Sequence, residues 1–151
     1  MFMLGITMST NELKETLALA NTDLNNVALN KQLTYRLGTA LHWLIDYWER
    51  VEQRFGNLPR EEASFFSALR YANNQLKHEF TLTRLYKRTG GMHFPFHFPL
   101  VFEAVLYVWS LESTGQTGHA NQLNNYKLYL HDKKVIETIE EAIGILEKYE
   151  L

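Results

Sequence analysis

The chain contains no cysteine. That excludes disulfides, zinc–thiolate sites and thiol nucleophiles, and it suits a reducing compartment, so a cytoplasmic location is the expectation. Charge of neither sign dominates: 15 basic and 17 acidic side chains leave a formal charge of −2. The protein as a whole therefore has no pull toward nucleic acid or membrane, and any basic surface must be local. Long apolar runs are missing as well. No stretch reaches the roughly 18 uncharged apolar residues that a membrane helix needs. The apolar opening MFMLGITM lacks a basic start and gives way at once to polar residues, so neither a signal peptide nor a membrane span is expected. P-loop, GxSxG, dinucleotide-binding, kinase and HExxH signatures are lacking too. Proline is scarce, and two of the three prolines fall together in HFPFHFP, Pro95 and Pro99.

What is present is enough apolar material, 46% of 151 residues, to bury one sizeable core. A single domain over residues 1–151 is expected, mainly α, as an up-and-down bundle of four or five helices with a short β ribbon or extended arm around 93–110. Ser9 and Glu12 have capping-box spacing and predict a first helix from about Thr10 to Ala20. Leu33, Leu37, Leu41, Leu44, Trp48, Val51 and Phe55 recur every three or four residues and predict a long second helix ended by Gly56, Asn57 and Pro59. Trp43, Ile45 and Tyr47 lie off that stripe, so this helix should meet neighbours on more than one side. A third helix opens at Arg60, Glu61 and Glu62 and is predicted to run to Gly90 and Gly91. Its inner stripe would be Phe65, Leu69, Ala72, Leu76, Phe80 and Thr83. HFPFHFP then alternates with a period of two, and Val101–Trp109 is rich in β-branched and aromatic residues, which predicts extended chain. Glu112–Ala120 reads as a loop, Asn121–Leu130 as a short helix, and Asp132 as the cap of a last helix carrying Val135, Ile136, Ile139, Ile143, Leu146 and Tyr149.

Arg70, Asn74 and His78 are spaced by four, so they line up on the outer face of the third helix. A guanidinium fork can hold a phosphate, an imidazole can move a proton near neutral pH, and an amide can orient either partner. The plainer alternative is a hydrated helix face. On the same predicted face Lys77, Arg84 and Arg88 form a candidate nucleic-acid-binding patch, diluted by Glu61, Glu62 and Glu79 on the same helix. His93 and His97 would lie about 13 Å apart in extended chain, too far to share an ion, so no metal site is expected. No cofactor is expected either. The aromatic run from Phe94 to Trp109 can serve as a partner surface or as a cover over the bundle core.

The segment ALRYANNQLKH, followed by Gly90-Gly91 and FPFHFP, resembles helical-bundle proteins of the HEPN superfamily. Their signature is an Arg, often followed by a polar residue, with a His five to seven residues further on. The resemblance implies a dimeric bundle acting as a metal-independent RNA endonuclease, typically the toxin of a toxin–antitoxin pair or a phage-defence element. RNA, a protein antitoxin and a second copy of the chain would be its partners. Arg70 would be the signature Arg and His78 the signature His, with Asn73 or Asn74 as the polar member. The chain departs from the pattern in the eight-residue spacing and in Tyr71 directly after Arg70. Other members of the superfamily lack the nuclease residues, which leaves a non-catalytic protein-interaction or dimerisation module as the alternative.

Overall fold

The computed structural model describes residues 2–78, 82–93, 99–111 and 120–151, with backbone alone at 89–93 and 99–103. The fold is mainly α, with five helices and one two-stranded antiparallel ribbon among the described residues. In chain order these are α1 (Phe2–Ala20), α2 (Val27–Phe55), α3 (Arg60–Lys77), β1 (Thr83–His93), β2 (Pro99–Trp109), α4 (Ala120–Tyr129) and α5 (Val135–Leu146). Helix α1 packs on α2, α2 on α3 and α3 on α4, while α5 touches α1, α2 and the ribbon.

Helix α2 is the axis of the bundle. The Asn26 side chain caps it by accepting the Leu29 N–H at 3.0 Å, and Gly56 ends it at φ 72, a left-handed value that suits glycine. The predicted stripe is buried from Leu33 to Val51, and Phe55 beyond it is exposed. The off-stripe aromatics meet other neighbours, as expected. Phe2 of α1 packs edge-on against both Trp43 and Tyr47, and the Tyr47 hydroxyl donates to the Tyr149 carbonyl at 2.7 Å. Trp48 lies flat on Phe66 of α3, ring centroids 4.3 Å apart, and joins α2 to α3 at the centre of the core.

Three sequence expectations are corrected here. Helix α1 begins at Phe2, so Ser9 is a buried mid-helix residue whose hydroxyl donates back to the Ile6 carbonyl at 3.1 Å. The helix starts early because Phe2, Met3 and Ile6 have α2 to bury against, a packing gain that outweighs a cap motif. Helix α3 ends at Lys77, not at Gly90-Gly91. Its stripe is buried at Phe65, Leu69 and Ala72, but Thr83 stands on β1, and Phe80 lies outside the described residues. Residues 83–93 carry Thr, Leu and Tyr that suit either structure, and pairing with the apolar run at 99–109 satisfies their backbone in register from Thr83↔Trp109 to His93↔Pro99. The ribbon therefore begins ten residues earlier than its expected start at 93. Finally, Lys134 precedes α5 as its N-cap, while Asp132 turns the chain at φ 64.

The base of the ribbon is set firmly into the bundle. Trp109, fully buried, donates from its indole to Thr138 Oγ1 of α5 at 2.8 Å. The Tyr126 hydroxyl of α4 donates to the Ser110 carbonyl at 2.5 Å, and the Ser110 N–H donates to the Leu82 carbonyl at 2.6 Å. The aromatic run splits accordingly: Tyr107 and Trp109 close over the core, and Phe94–Phe98 lie outside the described residues.

Candidate functional site

Helices α2 and α3 are joined by a short turn and run antiparallel, so residues early on one face residues late on the other. Outside the core contact this leaves an open groove with a cavity of about 250 Å³. From α2 it is lined by His42, Ile45, Asp46 and Glu49, and from α3 by Arg70, Asn73, Asn74 and Lys77. Helical spacing makes both rows: steps of three and four residues return to the same face, so His42, Asp46 and Glu49 form a polar row opposite Arg70, Asn74 and Lys77.

Arg70 is partly buried, and its fork is already engaged. Nη2 donates to Glu52 Oε2 at 2.6 Å, Nη1 reaches Glu52 Oε1 at 3.4 Å, and Nε lies 3.8 Å from Glu49 Oε1. Glu52 is held in turn by the Trp48 indole, which donates to its Oε1 at 2.9 Å. The guanidinium is thus neutralised within its own chain and pinned beside the Trp48–Phe66 stack. Tyr71, the residue after Arg70, turns the other way into the core. Its ring sits 5.2 Å from that of Tyr126, and burial raises its hydroxyl pKa above the ordinary tyrosine value.

The predicted row is only partly brought together. Asn74 is exposed and opens onto the groove with Arg70. His78 does not line it. It is the exposed C-cap residue of α3, with its backbone N–H on the Asn74 and Gln75 carbonyls. Eight residues of helix separate it from Arg70, about 12 Å of rise. The predicted basic patch divides as well. Lys77 belongs to the groove, whereas Arg84 and Arg88 are exposed on β1, because the helix expected to carry all three ends at Lys77. Arg84 lies over the Tyr86 ring at 4.6 Å, and both border a second cavity of about 290 Å³ at the foot of the ribbon with His131 and Asp132.

His42, Asp46, Glu49 and Glu52 were not singled out from sequence. Their four-and-three spacing on the polar side of α2 was visible, but that they face Arg70 depends on how α3 folds back. Among the described residues no group of three or more His, Asp or Glu side chains is arranged to hold a metal ion. The groove can offer the His42 imidazole, the Asp46 and Glu49 carboxylates, already engaged by Arg50 and Arg70, an amide pair and a lysine to a polar ligand. No helix among the described residues is long and apolar enough to cross a membrane. Compared with family models, curated proteins and solved structures, the chain matches none.

Proposed function

We propose that this chain is a HEPN-like, RNA-directed protein that acts as a homodimer, cleaving RNA without a metal ion as the toxin of a toxin–antitoxin pair or a phage-defence element. The observation that carries the reading is that Arg70, Asn74 and Lys77 open together onto one solvent-accessible polar groove. In this mechanism the ribose 2′-oxygen attacks the adjacent phosphorus as His78 takes its proton, and the 5′-oxygen leaves with a proton returned to it. The products are a 2′,3′-cyclic phosphate and a 5′-hydroxyl. Arg70 stabilises the charge that develops on the non-bridging oxygens, which requires phosphate to compete with Glu52 for its fork. His78 is too far along α3 to share the phosphate of its own Arg70, so the site is completed by the His78 of a second copy.

A different observation favours the non-catalytic reading. Arg70 is closed off by Glu52 and Glu49, as a residue that joins two helices would be. Incubating the purified protein with single-stranded RNA in excess EDTA separates the two. The nuclease reading requires cleavage that falls at least 100-fold in Arg70→Ala and in His78→Ala. A folded wild-type protein that leaves RNA intact, or full cleavage by both variants, makes the chain an interaction module.

A further inference from the structure

The backbone of the ribbon points to a partner. Trp109 directs both its N–H and its carbonyl away from β1, to Lys133 O at 3.0 Å and Asp132 N at 3.1 Å. Its register partner Thr83 must therefore also point outward from the ribbon, and the two-residue period of a strand carries this to Leu85, Lys87, Thr89, Gly91 and His93. The outer edge of β2 is closed at its base by residues 132–133 and by the bridge of Val108 to Lys134, and it begins with Pro99, which has no N–H. The outer edge of β1 carries no proline over eleven residues and pairs with no other strand among the described residues. A lone two-stranded ribbon is marginal in water, and such an edge is a template for strand addition.

We propose that the outer edge of β1 pairs antiparallel with β1 of a second copy, centred on Thr89, to make a continuous four-stranded sheet. Only centres that place odd-numbered residues opposite each other satisfy the outward-pointing groups. Centring on Lys87 would set Lys87 against itself, and centring on Arg88 would set Arg88 against itself, both unfavourable. Centring on Thr89 is the longest alternative that avoids this. It places Lys87 opposite Gly91 and Arg88 opposite Gly90 of the other copy, so the cations face residues with no side chain, and Tyr86 falls opposite Met92. The arrangement is isologous, as a closed two-fold dimer requires. It also separates the two Thr83 positions by twelve residues of strand, about 40 Å, which leaves room for both bundles. The reading stands on the ribbon alone and belongs with the non-catalytic alternative, because a pairing that holds the two Thr83 positions about 40 Å apart does not bring the His78 of one copy to the Arg70 of the other.

The test is the molar mass of the full chain by size-exclusion chromatography with light scattering, together with disulfide trapping. The wild type should run at twice its 17.7 kDa. Lys87→Pro removes an outward N–H without touching the intrachain ladder, and it should run as a monomer with an unchanged helical circular dichroism spectrum. Because the chain has no cysteine of its own, Thr89→Cys should give a covalent dimer on mild oxidation, and Arg84→Cys should not. A monomeric wild type overturns the proposal. So does a dimer that survives Lys87→Pro while Thr89→Cys fails to cross-link, an outcome that would leave a groove-mediated RNA nuclease dimer intact.

Discussion

Glu52 gives the sharpest measure of how α2 and α3 are joined. Replacing it by alanine removes the 2.6 Å bond to Arg70 and leaves the indole N–H of Trp48, a residue with no exposed surface, without its acceptor. A hydrogen bond to a charged group contributes about 1.5–3 kcal/mol, whereas a fully exposed ion pair contributes about 0–1 kcal/mol. Glu52 and Arg70, with side chains 36% and 26% exposed, lie between these cases. Glu52→Ala should therefore cost about 2–3 kcal/mol, with about 1–2 kcal/mol of it coupled to Arg70. For a chain of this length that lowers Tm by about 4–12 °C. Glu52→Gln, which keeps an oxygen for the indole and loses the charge, should fall between alanine and wild type. The assay is a double-mutant cycle of Glu52→Ala and Arg70→Ala by urea denaturation followed by circular dichroism. A coupling below about 0.3 kcal/mol would refute the reasoning and return Arg70 to the groove as a free cation.

Two further outcomes follow from the same packing. A Cβ at Gly5 would stand 2.7 Å from the Trp43 ring, so Gly5→Ala should destabilise by about 1–2 kcal/mol and shift tryptophan fluorescence, whereas Gly38→Ala, with no atom in the way, should stabilise by about 0.5–1 kcal/mol; equal effects in thermal melts would count against the α1–α2 contact. The Tyr149 hydroxyl donates to Glu62, and that hydrogen bond, with some desolvation, raises its pKa from 10.0 to about 12. A raised folded-state value means that the stabilisation is fully present below pH 10 and is lost as pH rises toward 12. Tyr149→Phe should flatten that decline in urea unfolding measured across the window, and an unchanged slope would argue against the contact.

How much of this was legible beforehand differs from element to element. The stripe of α2 could be read because a helix buried along one side repeats apolar residues every three or four positions whatever packs against it. The early end of α3 could not, because residues 83–93 satisfy a helical and an extended pattern about equally and their pairing partners, from Thr83↔Trp109 to His93↔Pro99, lie beyond the reach of local periodicity. The candidate row divides at the same place. Arg70 and Asn74 share the groove, but His78 caps the helix, and Arg84 and Arg88 belong to a strand. The carboxylates that engage Arg70 were in plain sight on α2, yet nothing local marks Glu49 and Glu52 as its partners.

By itself the sequence determines the helical class, the long central helix, the presence of extended chain near residue 100 and the buried side of α2, α3 and α5. These follow from periodicity and turn chemistry, which act over a few residues. Tertiary structure alone decides that the arginine singled out for chemistry is paired with Glu52, that His42 and Asp46 stand across from it, and that the eleven-residue outer edge of β1 pairs with no other strand among the described residues. Those depend on which distant segments meet, and the folded chain sets those meetings through backbone pairing and charge neutralisation across long sequence separations.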